Sequence, residues 1–529
     1  MNKIGFQNFR KFKDFPSLEY GGITFLVGRN NAGKSTFVKA ILLLDNYFKT
    51  QVFPRFTFSN NILEEVNVVT FGRAKNLSTD SKTIEFSSQI ENYGINIILT
   101  GEDDKSFANV VMLGIYSIQE GIAFIFDFLS NEIDIRKITS ASDIVVDKTS
   151  LENLDAQIQD IENQINSLNS KKTSIEYIEL VTQLDTLNQK KDDLNEATIT
   201  TKTKETFNLN TDFSSNLSLL EIVEGACKFF TYKYDTEFKA IQQGENATNE
   251  FEDLRAFKEF EPIIVEAIFS HFYTLTQDFT IAYLGSSSIK QPALLSVRDK
   301  NNALAQAIHE IVQLGIIKGE EEYSFITKWM KEFEVGSDFE ILFHAGEAYE
   351  VLINSDNQII NLSDKGMGSI QAMLLIFRVA SVIRKIKNAD KDSTATIGKR
   401  NFDSSKYRLA DKTTVIIEEP ELNLHPALQS KITDFLFYTN QKYKIDFLIE
   451  THSEYMIRRS QVIVADQDLA ISELSSNPFK AYYFHDESLP YALNYNADGT
   501  FDKNFGKGFF DEASGSTLEL IKLKRQKSS

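Results

Sequence analysis

The chain has 529 residues, 42% of them hydrophobic, and its 75 acidic against 56 basic side chains give a formal net charge of −19. A chain this long and this apolar can bury a large core, which excludes a disordered protein and predicts two or more domains or one domain with insertions. The acidic balance argues against a protein that coats nucleic acid, and a single cysteine, Cys227, excludes an internal disulfide framework and a multi-cysteine zinc site.

The first residues, MNKIGFQNFRKFK, lack the apolar core of a secretory signal. Short strands around turns are followed by a predicted strand at Ile23 to Val27, a glycine-bearing loop, and a helix from Lys34 to about Asp45. The loop fits the phosphate-loop pattern G-x-x-x-x-G-K-[ST] in its required context of a preceding strand and a following helix. We therefore predict that nucleotide is bound by Gly28, Arg29, Asn30, Asn31, Ala32, Gly33, Lys34, Ser35 and Thr36.

Each part of this loop has a chemical reason. The two glycines let the backbone curl so that successive N–H groups point at a phosphate, and the helix N-terminus adds the positive end of its dipole. Lys34 would bridge the β- and γ-phosphates, and Ser35 would offer its hydroxyl to Mg²⁺. The predicted ligands are ATP and Mg²⁺.

The middle of the chain has three kinds of pattern. Residues 50–145 are rich in Phe, with alternating stretches at Lys82 to Phe86 and Ile95 to Leu99 that predict strands. Heptad spacing from Leu151 predicts a short antiparallel coiled-coil hairpin with arms of about 30 Å, although two helices folded onto the body would give the same pattern. Residues 205–335 are mostly helical by periodicity, with Trp329 as a core residue.

A Ser/Gly-rich turn then opens a long apolar helix. Ser363, Gly366 and Gly368 would leave free N–H groups at the helix N-terminus, which suits an anion, although an ordinary helix cap would look the same. Arg378 interrupts the apolar stretch 372–383, so the sequence predicts no membrane span. The polar segment 387–411 reads as an exposed loop, with nucleic-acid contact as the less favoured reading of its basic residues.

Two apolar strands near the C-terminus end in polar residues. TVIIEE would place Glu418 to hold Mg²⁺ through its water shell and Glu419 to polarise the attacking water. LIETHS would place His452 beside the γ-phosphate if the two strands are neighbours, and the 33 residues between Glu419 and His452 leave room for one helix. The alternatives are exposed glutamates at a strand end and a structural histidine.

The order of GRNNAGKST, LSDKGMGSIQ, VIIEEPELNLHP and IETHSE resembles the ABC-type ATPases of the SMC, RecF and OLD group. It is most similar to the standalone OLD-like ATPases of bacterial anti-phage systems. The resemblance implies an α/β fold: a P-loop ATPase head with a mixed sheet and helices, carrying the coiled-coil hairpin and a helical insertion. It also implies a homodimer of heads, or a higher oligomer, in which Ser363, Gly366 and Gly368 cap the nucleotide of the partner head.

The predicted division is an N-terminal part of the head at 1–145, the hairpin at 146–200, the helical insertion at 201–335, the C-terminal part of the head at 336–460 and a small region at 461–529. The family's glutamine loop has no convincing match here. Asp466 and Asp468 have the spacing of a Toprim nuclease motif, but too few residues follow them for that domain. We read them as surface acids and expect no intrinsic nuclease.

The favoured function is a cytoplasmic ATP-hydrolysing switch that controls a separate nuclease or toxin in anti-phage defence, triggered by DNA or a phage protein. The defence role rests on the resemblance alone, because site residues fix the chemistry and not the biology. One alternative is a DNA repair or recombination ATPase that clamps DNA. Another is a scaffold that binds ATP and hydrolyses it slowly.

Overall fold

A computed structural model describes most of the two ends of the chain and little of its middle. The described residues are 2–50, 55–59, 68–90, 93–117, 122–128, 132–137, 205–206, 235–236, 238–243, 255, 258, 292–299, 302–356, 358–389, 394–397, 400–403, 413–466, 477–485, 488–506 and 519. The predicted hairpin at 146–200 and most of the helical insertion lie outside these residues, as does Asp468.

The first half contains β1 (Asn2–Phe9), β2 (Phe12–Tyr20), β3 (Ile23–Gly28), α1 (Lys34–Thr50), β4 (Arg55–Thr57), α2 (Phe71–Ala74), β5 (Thr83–Ile90), β6 (Tyr93–Thr100), β7 (Phe107–Ser117), β8 (Ile122–Asp127), β9 (Glu132–Lys137) and β10 (Glu205–Thr206). Then follow β11 (Leu295–Ser296), α3 (Ala303–Gln313), α4 (Glu321–Glu332), β12 (Asp338–His344), β13 (Ala348–Ser355), β14 (Gln358–Asn361), a 3-10 turn (Leu362–Asp364) and α5 (Met367–Ala389). The last elements are β15 (Thr394–Ile397), β16 (Arg400–Asp403), β17 (Thr414–Glu418), α6 (Pro426–Tyr443), β18 (Asp446–Glu450), α7 (Glu454–Asp466), β19 (Phe479–Phe484) and β20 (Tyr491–Leu493).

The central sheet has the strand order β17-β18-β3-β19-β20. All its neighbouring strands are parallel except β19 and β20. Strand β3 is buried at every residue, as expected for a central parallel strand covered on both faces. A strand from the extreme N-terminus therefore lies between two strands from the last fifth of the chain, and this brings the loop after β3 beside the ends of β17 and β18.

A second, antiparallel sheet is built from the first part of the chain, in the order β10-β9-β8-β7-β6-β5-β1-β2, with β4 paired to β7. It contains the strands predicted at Lys82 to Phe86 and Ile95 to Leu99. Its phenylalanines join it to the central sheet: the Phe15 ring stacks on Phe37 of α1 at 5.6 Å and on Phe484 of β19 at 6.2 Å. Such stacked pairs add to the apolar burial that fixes one sheet against the other.

Helices α3 to α7 share one core with β3, β17 and β18. Trp329 of α4 is buried as predicted and meets Phe435 of α6 edge-on at 5.0 Å. Among the described residues, α5 is the one helix long and apolar enough to span a membrane, and 72% of its apolar window is buried inside the protein. Arg378, which interrupts its sequence, bonds to Glu310 of α3 at 3.1 Å.

The segment 387–411 differs from the predicted exposed loop. Helix α5 continues to Ala389, and β15 and β16 then pair as an antiparallel hairpin from Thr394 to Asp403. The alternation of polar and larger residues in these short strands is too weak to separate a hairpin from a loop by sequence pattern. The prediction of a loop was therefore wrong at Thr394–Ile397 and Arg400–Asp403, and 404–411 lie outside the described residues.

Candidate functional site

Three strands of the central sheet end at one edge, and the candidate residues stand there. In the parallel pairing, Glu418 of β17 lies beside Glu450 of β18, and Glu450 lies beside Leu26 of β3. Strands β17 and β18 are neighbours joined through α6, as the spacing of Glu419 and His452 predicted. Because the carboxyl ends of parallel strands meet at the same edge, this is where ligands bind in open α/β sheets.

The loop after β3 depends on its glycines. Gly28 has φ of +139°, and a Cβ there would lie 2.2 Å from the carbonyl oxygen of Phe484. Gly33 has φ of +105°, and its Cβ would lie 2.4 Å from the Phe12 ring. Asn31 adopts φ of 61°, a left-handed conformation that Asn tolerates better than most residues. The loop conformation therefore requires the residue types found at these positions.

Lys34 begins α1 and folds back over the loop. Its ammonium donates to the carbonyl oxygens of Gly28 at 3.1 Å and Arg29 at 2.9 Å, and it lies 3.7 Å from Oε1 of Glu450. Only 2% of its side chain is exposed. Burial lowers the pKa of Lys34, and the nearby carboxylate of Glu450 opposes that shift. The positive charge therefore stands at the bottom of the loop, where a phosphate would meet it.

Ser35 contacts an acid that the sequence analysis did not select. Its hydroxyl lies 3.1 Å from Oε1 and 2.9 Å from Oε2 of Glu450. Glu450 is the last residue of β18 and is 7% exposed. Burial raises its pKa, while the charge of Lys34 and the hydrogen bond from Ser35 act in the opposite direction. Its signal in the sequence is a charged residue that directly follows the apolar run 447–449.

The two glutamates at the end of β17 are partly buried. Glu419 follows the strand with φ of 47°, and its N–H donates to the carbonyl of Glu450 at 2.7 Å. A left-handed backbone at a non-glycine residue costs free energy and tends to occur at functional sites. The backbone turns sharply here, immediately before Pro420. Glu419 Oε1 then lies 3.7 Å from Nε2 of His452.

His452 stands just beyond β18 and remains neutral near pH 7. Burial, with a smaller effect from the charge of Lys34, lowers its pKa from 6.5 to about 4. Its backbone N–H donates to Oε1 of Glu421 at 2.6 Å, so the segment after β17 holds the segment after β18. Glu421 is 8% exposed, and burial raises its pKa. The sequence analysis did not single out Glu421, which occupies the polar stretch after Pro420.

These side chains line one cavity of about 1090 Å³. Lys34, Ser35, Glu419, Glu450 and His452 all contribute to its wall. Its other basic residues come from the turn between β1 and β2, from α1 and from the segment around α2: they are Arg10, Lys11, Lys39, Arg73 and Lys75. Asn30, Asn31, Gly33 and Thr36 of the predicted loop also line it. A cavity of this size with converging charged groups suits a phosphorylated small molecule.

Ser363, Gly366 and Gly368 lie elsewhere, since none of the three lines this cavity. Asn361 caps the 3-10 turn by accepting from the N–H of Ser363 at 2.9 Å. A Cβ on Gly368 would lie 2.8 Å from the carbonyl oxygen of Asn423, so the turn packs on the loop after β17. A Cβ on Gly366 would meet nothing within 4 Å, so the fold of one chain does not require glycine there.

The donor atoms at the sheet edge suit Mg²⁺ bound together with phosphate. Ser35 offers a hydroxyl oxygen, and Glu418, Glu419 and Glu450 offer carboxylate oxygens, the hard ligands that Mg²⁺ prefers. Within the described part of the chain, no three His, Cys, Asp or Glu side chains form a metal cage of their own. A site with few protein ligands fits Mg²⁺, which usually keeps several waters and binds through one or two carboxylates and substrate phosphates.

Comparison with known proteins gives a family match over most of the chain. A family described as the AAA ATPase domain matches residues 1–457. The Smc head domain with an extended coiled coil bound to the C-terminal domain of ScpA, from Pyrococcus furiosus, is 11% identical with a TM-score of 0.33, covering 99% of this chain and 100% of that chain. The recombination mediator protein RecF of the RecFOR pathway is 10% identical with a TM-score of 0.28, covering 93% and 97%. TM-scores this low carry no argument, and a search of curated proteins found no match.

Proposed function

Because this chain belongs to the AAA ATPase domain family, we propose that it is an ATP-hydrolysing switch whose heads dimerise around nucleotide and control a separate effector. The observation that carries this proposal is the convergence of Lys34, Glu419 and His452 from three neighbouring strand ends on one cavity. A cation for phosphate and a carboxylate for water are groups that phosphoryl transfer to water uses. A neutral imidazole beside them can hydrogen-bond a phosphate oxygen.

Nucleotide binding is assigned to the loop 28–36. Its N–H groups and the N-terminus of α1 would hold the β-phosphate, and Lys34 would lie between the β- and γ-phosphates. Ser35 would hold Mg²⁺, with Glu418 acting through the metal's water shell. Mg²⁺, when bound, would neutralise charge on the phosphate oxygens as the bond to the γ-phosphate breaks. Lys34 would then exchange its two hydrogen bonds to the carbonyl oxygens of Gly28 and Arg29 for hydrogen bonds to the phosphates.

Hydrolysis is assigned to Glu419 and His452. Glu419 would accept a proton from the attacking water, and its left-handed backbone turns it out of the strand line towards the cavity. In the nucleotide-free protein burial lowers the pKa of His452 to about 4, so its ring is neutral at pH 7 when nucleotide arrives. A neutral ring at 3.7 Å from Glu419 can hydrogen-bond a phosphate oxygen or the carboxylate without adding charge.

Dimerisation is assigned to the Ser/Gly-rich turn. Ser363, Gly366 and Gly368 do not line the cavity of their own chain, which supports a role at the nucleotide of a second head. Gly366 adds a second argument, because no atom of its own chain would meet a Cβ there. A glycine that the single chain does not need is explained if a partner's phosphate approaches its backbone.

The control of a nuclease or toxin in anti-phage defence rests on the resemblance to OLD-like ATPases. The segment 146–200 would change position when the heads close, and the trigger would be DNA or a phage protein. A cytoplasmic location is proposed from the single cysteine, Cys227, which fits a reducing compartment. A repair ATPase that clamps DNA and a slowly hydrolysing scaffold are the outcomes against which this proposal is tested.

The test uses Glu419→Gln beside wild type, with Asp466→Asn as a matched control, since Asp466 is an exposed acid at the end of α7. We expect Glu419→Gln to lose at least about a hundredfold in ATP turnover while forming a dimer in Mg²⁺ and ATP by light scattering. Asp466→Asn should behave as wild type. A Glu419→Gln protein that stays monomeric in saturating ATP would refute the sandwich dimer, and unchanged turnover would refute the assignment of Glu419.

The effector is tested on the same trapped protein. Tagged Glu419→Gln, purified from its native host in Mg²⁺ and ATP, should carry a nuclease or toxin at fixed stoichiometry that wild type releases on hydrolysis. DNA in place of a protein partner, together with turnover that DNA stimulates and salt suppresses, would instead establish the DNA clamp. Assembly that tolerates the loss of hydrolysis would establish the scaffold.

A further inference from the structure

The acid in direct contact with the phosphate loop is Glu450, and the proposed function gives it no role. Both of its carboxylate oxygens are within 3.1 Å of the Ser35 hydroxyl, and one is 3.7 Å from the Lys34 ammonium. It is 7% exposed and lines the same cavity. A charged group is costly to bury, so a carboxylate kept here needs a partner that offsets the loss of water.

Its geometry matches one edge of a magnesium site. Ligands of Mg²⁺ sit about 2.1 Å from the ion in an octahedron, so two adjacent ligands lie about 3 Å apart. The distances from Ser35 Oγ to the two oxygens of Glu450 are 3.1 and 2.9 Å. An ion that approaches from the cavity could therefore bind the hydroxyl and one carboxylate oxygen with little movement of either group.

The other acids occupy different positions. Glu418 is paired with Glu450 across β17 and β18, which places it one strand further from the loop after β3. Glu419 turns away from the strand line and lies beside His452 at 3.7 Å. Of the three carboxylates at this edge, the one bonded to the Ser35 hydroxyl is that of Glu450.

From these contacts we propose that Glu450 binds Mg²⁺ directly, in the ligand position next to Ser35, and that Glu418 acts only through water. The inference rests on the proposed nucleotide site and names a further metal ligand within it. In the nucleotide-free protein Glu450 neutralises Lys34; when nucleotide enters, the phosphates take over Lys34, and the carboxylate becomes available to the metal. Glu450 would also make the site unfavourable for ATP that arrives without a metal, because its negative charge would face the phosphates.

The test measures affinity for a non-hydrolysable ATP analogue, AMP-PNP, in Mg²⁺ and in EDTA, together with the affinity of the AMP-PNP complex for Mn²⁺ by electron paramagnetic resonance. Glu450→Gln keeps the size of the side chain and a group that can bond to Ser35. The Mg²⁺ gain is the ratio of the AMP-PNP affinity in Mg²⁺ to that in EDTA. We expect this ratio to be at least about tenfold smaller in Glu450→Gln than in wild type, and the affinity for Mn²⁺ to fall by a similar factor. In EDTA, its affinity for AMP-PNP should equal or exceed that of wild type.

Three further variants make the result specific. Glu454→Gln removes the exposed acid four residues along the chain, which bonds to Arg458 outside the cavity, and should match wild type in every measurement. Glu418→Gln should reduce the Mg²⁺ gain less than Glu450→Gln does. Glu450→Asp, which retains the charge, should restore part of the gain and separates metal binding from a general loss of fold.

Three results would overturn the inference. An unchanged Mg²⁺ gain in Glu450→Gln would remove Glu450 from the metal, as would a larger loss in Glu418→Gln. If Glu450→Gln bound AMP-PNP more tightly than wild type by the same factor in Mg²⁺ and in EDTA, Glu450 would only compete with phosphate for Lys34. If wild type binds no AMP-PNP in either condition, the proposed function fails as well. If wild type binds AMP-PNP and any one of the three results is found, only the proposed role of Glu450 is refuted.

Discussion

His452 makes the stability of this protein depend on pH in a way that can be calculated. Burial lowers its pKa to about 4 in the folded protein, against 6.5 for an unperturbed histidine. As the pH falls from 8 to 5, the unfolded chain therefore takes up a proton at this residue while the folded chain does not. The free energy of unfolding therefore decreases as the pH falls. These values give about 2 kcal/mol at pH 5, and because the side chain is 31% exposed, solvent screening reduces the effect to about 1 to 2 kcal/mol.

The measurement compares wild type with His452→Gln. The free energy of unfolding in urea is followed through the fluorescence of Trp329, the one tryptophan, which is buried near α6. Between pH 8 and pH 5, wild type should lose about 1 to 2 kcal/mol more than His452→Gln, because Gln does not titrate. His452→Asn should agree with His452→Gln, which separates titration from lost packing. Equal pH dependence in wild type and both variants would refute the lowered pKa.

Three other predictions concern the phosphate loop and the Ser/Gly-rich turn. Lys34→Met leaves the carboxylate of Glu450 buried without its counter-charge and should lower the free energy of unfolding in urea by about 3 kcal/mol. Adding Glu450→Gln should recover most of that loss. No recovery in the double variant would contradict the pairing of Lys34 with Glu450. Gly28→Ala should cost about 2 kcal/mol or more and abolish AMP-PNP binding, because its Cβ would lie 2.2 Å from the Phe484 carbonyl oxygen. Gly366→Ala, whose Cβ meets no atom within 4 Å, should change monomer stability by under about 0.5 kcal/mol and still prevent the ATP-dependent dimer; an intact dimer would contradict its proposed place at the partner's nucleotide.

The sequence predicted the parts of the fold that have strong local patterns. The strand, loop and helix around Lys34 follow from two glycines and from a strand that is apolar except for Thr24. The 33 residues that separate Glu419 from His452 left room for one helix between two neighbouring strands, and β17 and β18 do pair. The family match confirms the ATPase class. Local pattern could not predict the hairpin of β15 and β16, since short strands of mixed polarity resemble loops.

The site residues that the sequence analysis missed are those whose role depends on contacts across the sheet. Glu450 and Glu421 look like ordinary acids along the chain. Only the register of β18 against β3 brings Glu450 to Ser35, and only the sharp turn at Glu419 brings Glu421 to the N–H of His452. Such contacts join residues up to 415 positions apart, and no local pattern encodes them.

The place of β3 between β18 and β19 has a consequence for synthesis of the protein. The nascent chain produces β3 first, but both strands that flank it, the later ending at Phe484, leave the ribosome hundreds of residues afterwards. At 5 to 20 residues per second this delay lasts on the order of tens of seconds, during which a strand that is apolar except for Thr24 lacks its neighbours. Translation intermediates that stop before β19 should therefore be unable to retain ATP and should be clients of chaperones that shield apolar segments.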